Sequence, residues 1–469
     1  MAQRSRAEDL VVVVPGILGS TLADADGHEV WAASGKALVR GIRTFGSSVK
    51  RLTLPAGLGD GHPGDGVRPT GLMSDVHALP GVWNPVDGYS GLLHWLEAGF
   101  TLRRRLPGEP ADVPANLVAF AYDWRLSCRY NAERLAERVD EELGRWRASR
   151  PDRRDAKVVF LCHSMGGLVT RSYVESCGGA EVTRRVVTLG TPYRGSLDAL
   201  LYLVNGMRYG IGPVGLDLTA FARSLPSLHQ LTPDYACLTT AGGSALRYAR
   251  EVTGLPGADG ELLSHAGRFH AELRAAEAGA RYGVEYVPVG GVRQPTPTTA
   301  EAEGGTLRAL LTIDGVDEGG DGRVPFLSSR PPGARRLAYT PWEKHGSLQN
   351  NKAVRQALYN WLTPEPPVHR GSEDDDVPLS VDAPEVLVEG EPYEIRATAS
   401  PDVPGHDRVA VFAGVEGGPT RTMTNRGGGL YTLRINGLPA GGHRVRIGTR
   451  VPANVVMTAL VLVLERGRR

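Results

Sequence analysis

The ten residues Val158-Val159-Phe160-Leu161-Cys162-His163-Ser164-Met165-Gly166-Gly167 constrain this chain more than any other stretch. The apolar run Val158–Leu161 reads as a buried strand, and Gly167–Ser176 reads as a helix, which leaves only a tight turn between them. A serine at such a junction is pushed out beyond the end of the sheet, where a base can reach it. The strained turn needs small neighbours two residues away on either side. Gly166 meets that need on one side; on the other, Cys162 stands where glycine is usual. The helix that follows offers its first N–H groups to an anion. The plainer alternative is a serine that only caps the helix. His163, next to Ser164 on the turn, points elsewhere and is read as packing or loop support.

The surrounding pattern suits such a turn. Short β-branched runs alternate with longer amphipathic segments over the first two-thirds of the chain, the signature of a parallel α/β sheet. Strands are expected at 11–14, 117–122, 158–161, 185–189 and 285–289. A helix is expected over 131–147, where Leu135, Val139 and Leu143 recur every four residues, and another over 348–362. Two stretches break the alternation, about 24–90 (with Trp31, Phe45 and Trp83) and about 197–282, and the second is read as a cap over the site. Residues 363–377 are Pro-rich and then acidic, hence an exposed linker. Beyond them, over 378–469, seven short alternating runs predict an immunoglobulin-like antiparallel sandwich with no visible chemistry. A chain ending near Leu362–Pro366 is therefore expected to keep turnover on a small soluble ester, unless the sandwich packs on the larger domain through a broad apolar interface.

Charge and cysteine content narrow the function. Lys+Arg 53 against Asp+Glu 52 leaves a formal net charge of +1 and argues against a nucleic-acid partner. The four cysteines, at 128, 162, 177 and 237, form no CxxC pair, no metal-ligand spacing and no disulfide framework. Five apolar residues, Leu10–Val14, are fewer than the ~7 of a signal-peptide core, and no run approaches the ~20 of a membrane span. A cytoplasmic protein is the expectation.

A serine hydroxyl becomes a useful nucleophile only when an imidazole takes its proton and a carboxylate holds that imidazole. In scaffolds with this turn the order is Ser, acid, His. Of the histidines after Ser164, His229, His265 and His270 sit in the cap segment, and His369, His406 and His443 in the linker or sandwich. His345 alone stands in a loop just before the last helix, with a plain surface-loop residue as its alternative. For the acid, Asp314, Asp317, Glu318 and Asp321 compete, and Asp314 and Asp317 could equally form turns. Asp321, in Gly320-Asp321-Gly322-Arg323-Val324-Pro325, is the choice. Negative charge on an ester oxygen calls for two aimed backbone N–H groups. Met165, after the serine, is one candidate. Ile17, in Val14-Pro15-Gly16-Ile17-Leu18-Gly19-Ser20, is the other.

These pieces, with Tyr122-Asp123-Trp124-Arg125 and Leu189-Gly190-Thr191-Pro192-Tyr193-Arg194-Gly195-Ser196, occur in an order that resembles the lecithin–cholesterol acyltransferase family of α/β-hydrolase lipases. That family includes lysosomal phospholipase A2 and phospholipid–diacylglycerol acyltransferase. The resemblance spans roughly residues 10–362 and implies a Ser164–Asp321–His345 triad, Ile17 and Met165 amides at the oxyanion hole, and lipid acyl esters as substrates. Asp123 and Arg125 are read as a buried ion pair near the site. The chain departs from the family's secreted members in having no cysteine over 24–90, and the sandwich lies outside the family's usual core.

The expectation is a serine acyl hydrolase or acyltransferase acting on lipid or a membrane-surface substrate, with hydrolysis favoured. It needs no metal and no organic cofactor. The sandwich is expected to bind aggregated lipid or a protein partner. The alternatives are a carboxylesterase or thioesterase on a soluble substrate, and a non-catalytic binding protein with a degenerate hydrolase fold.

Overall fold

A computed structural model describes residues 4–32, 52–74, 86–110, 112–209, 216–240, 245–276, 278–334, 336–363, 377–401, 405–449 and 456–465. Phe45, Trp83 and nearly all of the expected linker lie outside these residues.

Five strands make the central sheet: β1 (Leu10–Val14), β2 (Leu117–Ala119), β3 (Val158–His163), β4 (Thr183–Leu189) and β5 (Glu285–Val289). Their order is β5-β4-β3-β1-β2, and every pairing is parallel. All five residues of β1 are buried because the sheet is covered on both faces. Leu10, Val12 and Val14 point into one apolar layer. There they meet α2 (Cys128–Ala148) and α3 (Gly166–Ser176), and Leu135, Val139 and Leu143 form the buried face read from their spacing. Val11 and Val13 point into the other layer, against Leu92, Leu93 and Leu96 of α1 (Ser90–Gly99) and Val354 and Leu358 of α6 (Lys352–Leu362). The last helix starts later than its apolar pattern suggested. Residues His345–Asn350 wind as a tighter turn, and Asn351 caps α6 by accepting from the Ala353 and Val354 amides.

The two irregular stretches are structured in part. Ser20–Ala23, Glu29–Trp31 and Arg68–Leu72 form a small sheet. The cap segment contributes α4 (Leu197–Asn205) and α5 (Gly260–Ala275). It also supplies the strand Leu238–Thr240, which pairs with Thr299–Glu303 outside the segment.

Beyond the linker lies a β-sandwich with its own apolar core. One sheet runs β6 (Leu379–Asp382), β8 (Tyr393–Ala399), β12 (Leu430–Ile435), β11 (Thr424–Gly427). The other runs β7 (Val386–Val388), β14 (Val456–Leu464), β13 (Gly441–Thr449), β9 (Val411–Val415), β10 (Arg421–Thr422). Strict alternation is visible in β8, buried at every second residue. Strand β7, whose three residues are all half-buried, gave no alternation to read, and it pairs with β14 in parallel.

Candidate active site

Ser164 leaves the end of β3 with φ of +52°, one of four non-glycine residues in the left-handed region among those described. A side chain held there costs ~1–3 kcal/mol and persists only where its surroundings enforce it. Three contacts do so: the Ser164 amide donates to the Leu189 carbonyl (2.9 Å), and its carbonyl accepts from the Thr191 hydroxyl (2.9 Å) and the Gly167 amide (3.0 Å). Gly166 lets α3 sit against the end of β1, because a Cβ there would lie 2.4 Å from the Pro15 carbonyl oxygen. Cys162 fills the other small position without disturbing it. It is fully buried, its thiol is 3.2 Å from the Thr170 hydroxyl, and burial pushes it up to about 12, so it is an inert packing group.

The structure brings Ser164, His345 and Asp321 together. His345 Nε2 is 2.9 Å from Ser164 Oγ, and His345 Nδ1 is 2.8 Å from Asp321 Oδ2. Exposures of 7%, 8% and 1% for Ser164, His345 and Asp321 put the set out of bulk water but within reach of a ligand. Asp321 Oδ1 accepts from the Arg323 and Val324 amides (2.9 and 2.7 Å), and the His345 amide donates to the Asp321 carbonyl (2.9 Å). A carboxylate with one oxygen so engaged turns the other to Nδ1–H, which leaves Nε2 as the acceptor for the serine proton. The competing Asp317 accepts from the Gly319 amide two residues on, as a turn-former does. Of the other histidines, His270 Nε2 donates to the Gln230 carbonyl (2.7 Å) and burial holds the imidazole down to about 4, and His265 pairs with Asp60.

The Pro15–Ser20 loop faces the serine. Gly16, Ile17 and Leu18 line one cavity with Ser164 and His345, and Leu18 itself has φ of +64°. The Tyr122–Arg125 stretch fixes this loop. Tyr122 donates its hydroxyl to the Pro15 carbonyl (2.8 Å), and the Trp124 indole donates to the Ser20 carbonyl (3.2 Å). Trp31, from the first irregular stretch, donates to the Leu18 carbonyl (3.0 Å). Asp123 and Arg125 form a buried pair at 2.7 Å, and Arg125 reaches on to Asp65 at 2.8 Å. Neither lines the cavity; Arg125 ties this stretch to Asp65 and to the Leu52 carbonyl (3.3 Å).

Sequence reasoning missed Tyr89. The Gly16 amide donates to its hydroxyl (2.9 Å), so that hydroxyl's own proton goes to His163 Nδ1 (2.8 Å). His163 Nε2 then donates to the backbone carbonyl of His345 (3.0 Å). A buried chain of three hydrogen bonds thus joins the Gly16 loop to the His345 loop behind Ser164. It also leaves the Gly16 amide engaged with Tyr89, while Ile17, the next residue, lines the cavity beside Ser164. His163 acts as loop support, as its place on the turn suggested; Tyr89 stands in no motif that could have singled it out.

The cavity is mostly apolar: Ile17, Leu18 and Val86 on one side, Ala199, Leu228 and Leu231 from the cap on another, and Val324. Its polar end holds Arg323 and Asp198, paired at 2.6 Å, with the Tyr202 hydroxyl 2.7 Å from the same guanidinium nitrogen. Among the described residues one group has metal-ligand spacing, Asp24, Asp26 and His28, and it lies in the turn between Ser20–Ala23 and Glu29–Trp31, outside this cavity.

The all-parallel sheet, the strained serine after its middle strand and the two helical layers define an α/β hydrolase. Residues 112–244, which include the serine turn and the start of the cap, match the sequence model of the lecithin:cholesterol acyltransferase family, so the resemblance read from the motifs stands. A curated relative, the uncharacterized protein YJR098C of Saccharomyces cerevisiae, is 25% identical over 197 residues, which are 40% of this chain and 25% of that one. The chain thus spans about a quarter of the length of the curated relative it matches. Among solved structures, the lipase BlEst2 of Bacillus licheniformis in mature form aligns at 14% identity and a TM-score of 0.38, over 77% of this chain and 95% of that one. Its propeptide form aligns at 13% identity and 0.38, over 95% and 72%.

Proposed function

We propose that the protein is a serine acyl hydrolase acting on lipid esters, of the phospholipase or lipase kind. The observation that carries this reading is the hydrogen-bonded relay Ser164–His345–Asp321 at the wall of an apolar cavity. His345 Nε2 takes the Ser164 hydroxyl proton as Oγ attacks the ester carbonyl. The Ile17 and Met165 amides take the charge that develops on the carbonyl oxygen. The tetrahedral adduct collapses, His345 returns the proton to the departing alcohol, and the acyl group remains on Ser164. Water then gives a proton to His345, attacks the acyl-enzyme, and releases the carboxylic acid with Ser164 restored. An alcohol in place of water would make the same chain an acyltransferase. Asp321 holds the imidazole in the required tautomer throughout. The aliphatic walls contributed by the cap favour an acyl chain over a polar substrate, and the intact relay argues against a binding protein on a degenerate fold.

Ser164→Ala is expected to abolish both labelling by a fluorophosphonate probe and ester turnover. Labelling that survives the substitution would sink the assignment. A panel of phospholipids, acylglycerols and short p-nitrophenyl esters, with product masses, separates a lipid-ester enzyme from an esterase on soluble substrates. It also identifies the acyl acceptor.

A further inference from the structure

The sandwich touches the larger domain where the acid and the base are carried. Gln294, bridged by its backbone to Gly320 and Asp321, uses its side chain as a two-point clasp on β6. Its Nε2 donates to the Leu379 carbonyl (3.3 Å), and its Oε1 accepts from the Val381 amide (3.2 Å). Arg323, two residues after Asp321, faces Glu385 of the sandwich at 3.5 Å. Glu343, two residues before His345, is buried and accepts from the Thr458 amide of β14 (3.2 Å), from the Lys344 amide (2.9 Å) and from the Asn351 side chain that caps α6 (3.1 Å). Arg444 of β13 donates to Asp87 (3.0 Å), whose amide in turn donates to the Gly346 carbonyl (2.7 Å).

Four separate contacts from four parts of the sandwich therefore end within two residues of Asp321 or His345, or one hydrogen bond away from them. We infer that the C-terminal sandwich is a positioning element of the active site, which holds the Asp321 and His345 loops against Ser164. The inference rests on the triad reading above. Neither loop belongs to a strand of the central sheet, and both are rich in turn residues, so they need an outside brace to keep His345 Nε2 within reach of Ser164. A lapse of about 1 Å in such a contact costs roughly a hundredfold in rate. The sandwich side chains that make the contacts do not enter the apolar cavity, so their effect is on the rate of chemistry and not on substrate affinity.

The full-length chain carries the test. The double variant Glu385→Ala/Arg444→Ala and the single variant Glu343→Ala are each assayed on a small soluble ester, well below the thermal midpoint measured for the same sample. Each is expected to lower kcat and the rate of fluorophosphonate labelling about tenfold or more. KM should stay within about twofold, because no cavity-lining side chain is replaced and Arg323 keeps its closer partner Asp198. Glu343→Gln, which keeps an acceptor for the Thr458 amide, should recover most of the loss. Unchanged kcat and labelling in both variants, even with a lowered midpoint, would mean that the sandwich adds stability only and overturn the inference. So would a Glu343→Gln chain as slow as Glu343→Ala. Ser164→Ala in the same labelling assay keeps the two ideas apart. Label retained there defeats the triad, whereas label lost there with the interface variants at full rate defeats only the positioning role.

Discussion

Asp321 and Tyr89 show how differently two residues of one site can be written in a sequence. Asp321 sits in a glycine-framed turn whose order relative to Ser164 and His345 narrows the choice to a few carboxylates, and its two oxygens divide their labour. Asp321→Asn keeps the oxygen that accepts from the Arg323 and Val324 amides but presents an NH2 to His345 Nδ1, which favours the wrong tautomer. Turnover should fall ~10⁴-fold with the fold intact by circular dichroism, while Asp317→Asn changes little. Reversed results would move the acid. Tyr89 left no trace because its work depends on two hydrogen bonds, to residues 73 and 74 positions away in the chain, and on no local pattern. Tyr89→Phe takes the acceptor from the Gly16 amide and the donor from His163 in one step. Kinetics should give about tenfold lower kcat with KM little changed, since the amide next to the proposed oxyanion donor Ile17 loses its anchor. Chemical denaturation should show a loss of ~1–3 kcal/mol, the cost of a buried donor left without a partner. A variant matching the parent in both would show that the chain of bonds is incidental.

Elements were legible where burial imposes a period. The α2 face and the all-buried run of β1 follow directly from residue spacing, because α2 buries one face in a single apolar layer and β1 is covered by an apolar layer on each side. The start of α6 was misplaced because Leu348 is buried in the tight turn below the helix and fits the helical period by chance of position. Strand β7 escaped notice because it is short and only half-buried on both sides. The packing of one element on another rests on glycines that no period reveals. Gly190, just past β4, has φ of +63°, and a Cβ there would lie 2.9 Å from both Asp321 Oδ2 and His345 Nδ1. Gly190→Ala should therefore injure the relay as well as the backbone: ester turnover should fall at least about a hundredfold at temperatures where the chain stays folded. The loss of stability should be about 1 kcal/mol or somewhat more, the cost of an alanine at positive φ. Activity falling only in step with unfolding would mean that the relay tolerates the methyl group.

At the scale of the whole molecule, sequence gave the two cores but not their relation. A Pro-rich acidic stretch reads as a tether between independent parts, while the contacts that join them fall on Gln294, Glu343, Arg323 and Thr458, residue types common at any surface. Glu343 makes the join measurable. Burial pushes its carboxyl up to about 7 from an ordinary 4.5, against the lowering effect of Asn351, of the Lys344 and Thr458 amides and of the Lys344 ammonium. The other charged groups gathered at this join are Arg323, Asp382, Asp198 and Glu385, together with Lys344 itself. A carboxyl whose folded value lies above its unfolded one binds its proton more tightly in the folded chain. Its contribution to stability is therefore complete below about pH 4.5 and is lost as pH rises to about 7. Glu343→Gln carries no such proton. Urea unfolding of the two chains at intervals from pH 4.5 to 8 should then show the Gln chain gaining on the parent by up to about 3 kcal/mol in all, most of it between pH 4.5 and 7, and levelling off by about pH 8. A difference that stays flat across this range would mean that the Glu343 carboxyl is hydrated, and hence that the sandwich does not close over the His345 loop in solution.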